Sequence, residues 1–240
     1  MRIVAVIPAR YKSSRFEGKP LADIHGKPMI WWVYQQTKKV KQLDEVYVAT
    51  DDERIEAVCN DFGINVIMTS KNHPTGTDRI CEVSSKMKAD IIINVQGDEP
   101  MIEPETIVKA INPLVERSDL LVSNLMTKIN NPVDLINITV PKVITNKEGV
   151  GLYLTRSASP YPKGSLDVKY YKQVCVYGFR PEALEFFANA ERGTIEKVED
   201  IEILRFIENG YKVQFIEVNS ETIAVDTPLD LELVRKSIKP

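Results

Sequence analysis

The sequence predicts an α/β protein built on a mostly parallel central sheet with helices on both faces, carrying a β-rich excursion in its second half. Three observations carry that reading. Short apolar, β-branched runs alternate with longer amphipathic stretches. The runs are continuously apolar, as strands covered on both faces are, rather than alternating. The segments that follow them are crowded with charged and small polar residues, at the strand ends where such sheets bind ligands.

Taken in order, "RIVAVIPA" reads as a fully buried strand, and "PMIWWVYQQTKKV" as a helix led by Pro28. "DEVYVATDD" is a strand ending in acids, "ERIEAVCNDFG" a helix closed by Gly63, and "NVIMTS" a third strand. "DRICEVSSKMK" is helical, and "ADIIINVQGDEP" is an apolar strand with a polar end. "DLLVSNLMTKI", "VPKVITN" and "GVGLYLTRSASPYP" are strand-like pieces separated by turn residues, and "KGSLDVKYY" is a loop. "KQVCVYGFRPEALEFFANA" runs from strand into a helix that Pro181 starts, and "KVEDIEILRFIENG" reads as one helix. After the strand "KVQFIEV" comes a last helix, capped by Asp226 or Thr227 with Pro228 at its first position. The expected organisation is a single domain over 1–240 with the β-rich excursion at about 120–180.

The bulk properties narrow the function. A chain of 240 residues with 43% hydrophobic and 27% charged content has an ordinary soluble composition. A formal net charge of -3 speaks against a nucleic-acid partner and confines any positive field to a local patch. Three cysteines, an odd count without metal-like spacing, read as free thiols in a reducing, cytoplasmic compartment. With two histidines, a His-rich zinc site is not expected. The run Ile3 to Ile7 is too short for a secretory h-region, and nothing approaches the roughly 20 apolar residues of a membrane span.

Four segments carry candidate chemistry. Directly after the first strand, Arg10, Lys12, Arg15 and Lys19 crowd one loop with Ser13, Ser14 and Gly18. Backbone N–H groups, hydroxyls and guanidinium forks in such a loop hold phosphate oxygens; read blandly, it is a solvated basic loop. It is not a P-loop, since G-x-x-x-x-G-K-[ST] is missing. In "NVQGDEP" a central strand ends in Gln96, Asp98 and Glu99. Asp98 is either a turn acid or a carboxylate placed to hold Mg²⁺ against a nucleotide's phosphates. In "IAVDTP", Asp226 is a helix cap or the second carboxylate such a metal needs, two roles that are compatible. In "HPTGTDRI", Thr75, Gly76 and Thr77 form a polar turn and Asp78 and Arg79 open a helix, as an ordinary loop or as a contact to a base or ribose.

Together these blocks resemble the 3-deoxy-manno-octulosonate cytidylyltransferase (CMP-Kdo synthetase) family. "PARYKSSRFEGKPLADIHGKPMI", "VATDDERI", "VIMTS…TGTDRICEV", "IINVQGDEPMI", "YLTRSASPYP", "YKQVCVYGFR" and "VDTPLDLELVR" match it in order over nearly the whole chain. The resemblance implies a Rossmann-like nucleotidyltransferase fold and a homodimer formed through the β-rich excursion. It implies transfer of CMP from CTP to the anomeric hydroxyl of a 3-deoxy-2-ulosonic sugar acid, most simply Kdo, with release of pyrophosphate, for lipopolysaccharide or capsule precursors. Carried over, Arg10 and Lys19 face charge on the α-phosphate and the leaving pyrophosphate, with Ser13 and Arg15 assisting. Pro8, Ala9 and Thr75 to Arg79 line the cytosine pocket. Asp98 and Asp226 match the magnesium ligands, and Gln96, Arg156, Tyr177 and Glu202 match positions at the sugar acid.

The chain departs from the family in its sugar half. "KQVCVYGFR" stands where "RHLGIYGYR" is usual, placing Gln173 at a histidine position and Cys175 where glycine is common. "IEILR" keeps Glu202 but has Ile203 in place of a glutamine. A site that loses hydroxyl-binding groups changes its preference. A modified Kdo, such as an 8-amino form, or another acidic acceptor therefore stands beside Kdo. An inactive nucleotide- or sugar-binding homologue, and an enzyme acting on a sugar 1-phosphate, are the competing classes.

Overall fold

A computed structural model of the chain describes residues 1–12, 16–219 and 222–238. In chain order the elements are β1 (Ile3–Ala9), a 3₁₀ turn (Lys19–Leu21), β2 (Asp23–Ile24), β3 (Lys27–Pro28), α1 (Met29–Lys38), β4 (Glu45–Thr50), α2 (Glu53–Asp61), β5 (Val66–Met68), α3 (Gly76–Lys86) and β6 (Ile91–Val95). There follow α4 (Pro104–Glu116), β7 (Val122–Lys128), α5 (Pro132–Ile136), β8 (Lys142–Thr145), β9 (Gly151–Thr155), β10 (Tyr171–Phe179), α6 (Pro181–Asn189), α7 (Thr194–Glu199), α8 (Leu204–Glu208), β11 (Val213–Glu217) and α9 (Pro228–Ser237). The chain divides into two compact units, Met1–Val108 with Glu221–Pro240, and Lys109–Ser220.

The first unit holds a parallel sheet in the order β6-β1-β4-β5. Val4 to Ile7 and Ile91 to Ile93 are fully buried, which is what their unbroken apolar sequence demands. Parallel pairing puts the carboxyl ends of β1, β4 and β6 at one edge, so the loops after Ala9, Thr50 and Val95 emerge together. The segment at 104–116, to which the sequence reading assigns nothing, is α4; Ile107, Ala110, Ile111 and Leu114 form its buried stripe. Pro28 does not lead α1 from inside: it is the N-cap, and Lys27–Pro28 pairs with Asp23–Ile24 in a hairpin. The C-terminal helix α9 packs on that hairpin through Ile24, Met29, Val225, Leu231 and Val234.

In the second unit β7 lies between β11, to which it is parallel, and β10, to which it is antiparallel, while β8 pairs with β10 and β9. The β10–β7 register slips between Val174 and Tyr177. Buried Asn124 covers the slip by donating to the carbonyls of Val174 and Val176, at 3.0 and 2.8 Å. The expected single helix over 197–210 is two short ones, α7 and α8. The chain breaks at Asp200, at φ 50 and ψ 50. The break lets Glu208 reach back and accept hydrogen bonds from the N–H groups of Ile195 and Glu196, at 2.9 and 2.7 Å. It also brings Arg205 onto Glu196, a buried pair at 2.8 and 2.9 Å that one straight helix would separate.

The three cysteines are free thiols, as their count and spacing suggest. Burial pushes the Cys59 thiol up to about 12. Among the described residues no helix is long and apolar enough to cross a membrane.

Candidate active site

The loop after β6 makes a close approach that explains its glycine. A Cβ on Gly97 would sit 2.9 Å from the Pro8 carbonyl oxygen, so only glycine lets the backbone press against the end of β1. Asp98 follows directly, and its carbonyl accepts the Val225 N–H at 2.8 Å, tying this loop to the segment before α9.

The start of α9 leaves the Asp226 carboxylate out of the helix cap. Thr227 is the N-cap and forms a reciprocal capping box with Asp230. Asp230 also accepts the Asp226 N–H at 3.1 Å. The cap is therefore complete without the Asp226 carboxylate, which points to Lys19 at 3.6 Å. The same ammonium donates to Asp98 Oδ2 at 2.8 Å. Lys19, Asp98 and Asp226, far apart in sequence, thus meet at one point, with the lysine side chain 15% exposed.

Next in the chain, Glu99 is 7% exposed and accepts from Thr222 Oγ1 at 3.0 Å. Burial and the neighbouring Asp98 push its carboxyl up to about 7, against the hydrogen bond from Thr222. The sequence reading noted this acid but gave it no part.

The nucleotide-binding candidates gather around Pro8. Gly76 opens α3 with Pro8 Cγ 3.8 Å from where its Cβ would stand. Thr75 is the N-cap in a capping box with Asp78, and Thr77 is buried. Arg79 does not open outward as a free base contact: at 1% exposed it pairs with Asp51 at 3.1 Å and donates to Thr69 Oγ1. Arg10 is exposed, and both its terminal nitrogens lie 3.5 Å from the Pro74 carbonyl oxygen. A cavity of about 320 Å³ opens here, lined by Arg10, Tyr11, Lys12, Lys71, His73 and Arg79 with Asp51 and Asp52. Ser13 and Arg15 fall outside the described residues.

Both histidines are engaged in contacts of their own. His25 Nε2 faces the carbonyls of Arg235 and Ile238 at 2.8 and 3.0 Å, so it carries the proton and donates to them. His73 pairs with Glu82.

Of the sugar-site candidates, Gln96 is half-buried in the first unit, where its carbonyl accepts from Glu99 N–H at 3.4 Å. The others belong to the second. Gln173 Nε2 donates to Asn124 Oδ1 at 2.8 Å, beside the bulge. Tyr177 is buried and stacks on Phe179. The Glu202 carbonyl accepts from Arg205 N–H at 3.1 Å. The Arg156 guanidinium donates to the carbonyls of Glu199, Asp200, Ile138 and Thr139. Its work in this structure is to tie loops together. Ile203, expected to alter a sugar contact, is 1% exposed and forms part of the hydrophobic core.

A family model described as cytidylyltransferase matches residues 4–219. The 3-deoxy-manno-octulosonate cytidylyltransferase of Geotalea uraniireducens (strain Rf4) is 46% identical over 250 residues, covering 100% of both chains. The chain belongs to the 3-deoxy-manno-octulosonate cytidylyltransferase family. It is thus a nucleotidyltransferase with the Rossmann-like fold that the resemblance implied. The same-named protein of Fusobacterium nucleatum is 43% identical, covering 100% of this chain and 98% of its own. A solved CMP:2-keto-3-deoxy-manno-octonic acid synthetase complexed with CTP superposes with a TM-score of 0.94 at 40% identity, covering 99% of this chain and 98% of that one. The 4-diphosphocytidyl-2C-methyl-D-erythritol synthase of Anaerococcus prevotii, at 15% identity and a TM-score of 0.66, shares the fold alone.

The donor set of the convergent acids suits magnesium. Two carboxylates already share one cation, and all their donors are oxygen, as a hard divalent ion prefers. Among the described residues no group of three or more His, Cys, Asp or Glu could hold a metal. Magnesium fits such a set because it is usually held by one or two carboxylates together with substrate phosphates and water.

Proposed function

We propose that this cytidylyltransferase transfers CMP from CTP to the anomeric hydroxyl of 3-deoxy-manno-octulosonate, releasing pyrophosphate, with Mg²⁺ as cofactor. The single observation that carries the reading is the meeting of Lys19, Asp98 and Asp226 beside the end of β1. The names and full-length identity of the relatives support CTP and Kdo as the substrates.

The chemistry asks for little covalent help. The sugar hydroxyl is itself the nucleophile, which agrees with histidines engaged in structural contacts. Attack on the α-phosphorus is in line, so the protein must align two anions and offset charge growing on phosphoryl and leaving oxygens. Arg10 and Lys19 flank the loop where that charge develops, and fixed cations there favour the transition state over the ground state. Asp98 and Asp226 would hold the magnesium, which when bound polarises phosphoryl oxygens as a Lewis acid. Pro8, Ala9 and Thr75 to Thr77 form the wall proposed to receive the cytosine, with Arg79 holding α3 to the loop after β4 behind it.

The protein is read as a cytoplasmic homodimer serving lipopolysaccharide or capsule precursors. Ile136, Ile138, Leu152, Tyr161 and Leu166 are exposed large side chains on the β-rich excursion and support its use as the dimer face. In this reading the excursion extends one catalytic domain.

The deciding experiment is an acceptor panel with CTP and Mg²⁺, reading pyrophosphate and the mass of the CMP conjugate. The panel holds Kdo, its 8-amino form and glucose 1-phosphate. Turnover with Kdo or its amino form alone is expected; turnover with the sugar 1-phosphate alone, or with none, would overturn the reading.

A further inference from the structure

We infer that Tyr11 and Arg54 are positioning residues for nucleotidyl transfer, clamping the ends of the cationic loop so that Arg10 and Lys19 are held in register. The inference rests on the function proposed above and adds to it two residues that act through Arg10 and Lys19.

The clamp is built from outside the loop inward. Asp52 caps α2, accepting the Arg54 N–H at 3.0 Å. The same carboxylate accepts from Arg54 Nε at 2.9 Å and from one terminal nitrogen at 2.7 Å, a two-pronged grip that fixes the guanidinium plane. That plane lies over the Tyr11 ring, its central carbon 3.2 Å from the ring centroid. Tyr11 in turn bears on Gly18: a Cβ there would lie 3.1 Å from Tyr11 Cζ. The Gly18 N–H donates to the Tyr11 carbonyl at 2.8 Å. Gly18 has φ +70, which favours glycine at this position.

The consequence follows from adjacency. Arg10 precedes Tyr11 and Lys19 follows Gly18, so both proposed phosphate-facing cations leave the same closed knot. Lys19 is held at its far end by Asp98 and Asp226. Arg10 is exposed, and among the described residues it hydrogen-bonds through the long contacts to the Pro74 carbonyl, so the knot is its firmest restraint there. A cation that needs no rearrangement when charge develops is worth more than a mobile one. Arg54 does this through the flat face of its guanidinium, which lysine lacks.

The test measures kcat and KM for CTP, with Kdo, together with Tm, in Tyr11→Phe, Tyr11→Ala, Arg54→Lys, Arg54→Ala and the double alanine variant. Tyr11→Phe keeps the ring and should stay within about twofold of the parent. Tyr11→Ala and Arg54→Lys should each lower kcat about tenfold, with a smaller change in KM and little change in Tm. The double variant should be no worse than the more impaired single alanine variant, because both remove one coupled contact. Unchanged kcat in Tyr11→Ala and Arg54→Lys, fully additive losses, or losses that track Tm across the series would each overturn the clamp. Absence of pyrophosphate release by the parent protein would instead sink the functional reading beneath it.

Discussion

Lys19→Met removes the cation from between two acids while keeping an unbranched stem of similar length. The ammonium makes one charge-assisted hydrogen bond, at 2.8 Å to Asp98, in a spot where the lysine side chain is 15% exposed. Such a bond contributes about 1.5–3 kcal/mol. The contact to Asp226, at 3.6 Å and with that carboxylate 39% exposed, adds less than about 1 kcal/mol. The metal-free variant should therefore lose about 3 kcal/mol, a fall in Tm on the order of 10 °C for a chain of this size. Magnesium should restore part of that loss, because it replaces the missing positive charge between the same acids. Scanning calorimetry with and without Mg²⁺ reads both effects. Turnover should fall about 10²–10³-fold, the usual scale for losing one fixed group that faces developing charge. A Tm unchanged in the absence of metal, or turnover near that of the parent, would refute the reasoning.

Three further outcomes are expected. Asp98→Ala should abolish pyrophosphate release while leaving far-ultraviolet circular dichroism unchanged; near-normal turnover would remove Asp98 from the chemistry. Ile203→Gln should leave acceptor preference unchanged and cost about 1–3 kcal/mol in urea unfolding, because it puts an amide where the side chain is 1% exposed; a change in relative kcat/KM between acceptors would show that position 203 reaches the sugar after all. For Glu82, burial alone would raise the carboxyl, but hydrogen bonds from Lys86, Ser70 N–H and His73 outweigh it and bring it from 4.5 to about 2. A lowered folded-state value means stability fully present above the unfolded value and lost as pH falls through about 2, worth at most about 3 kcal/mol for a side chain 22% exposed. Glu82→Gln should flatten the acid limb of stability between pH 5 and pH 2, and an unaltered limb would contradict the assignment.

How much of this was legible in the sequence depended on how local the signal was. β1 and β6 announce themselves because burial on both faces leaves no room for polar alternation. The end of α2 at Gly63, with φ +63, was equally plain. The start of α9 was legible only in part: the pattern allowed Asp226 or Thr227 as cap, and the reciprocal bonds of Thr227 with Asp230 decide it. The stretch 197–210 misled because its apolar spacing suits a helix. The reason it breaks is long-range, lying in the Arg205–Glu196 pair and in Glu208 capping α7. α4 has an apolar stripe, but the prolines at 104 and 113 obscure it. In the site, the acids and the lysine were found as separate segments, and the resemblance supplied their common purpose. What no pattern could supply was burial: Ile203 in the core, Arg79 turned to Asp51, and Arg156 occupied by loop carbonyls. The Tyr11–Arg54 stack joins the loop after β1 to the first turn of α2 through a contact that no sequence spacing signals.

Titration of Mn²⁺ as a magnesium substitute, followed by electron paramagnetic resonance in the presence of CTP, puts the convergence of Asp98 and Asp226 to the most direct test. The parent protein should bind one ion per chain, and Asp98→Ala and Asp226→Ala should each weaken it by about tenfold or more, as losing one of few charged ligands does. Undiminished binding in either variant would mean that these two carboxylates do not grip one metal.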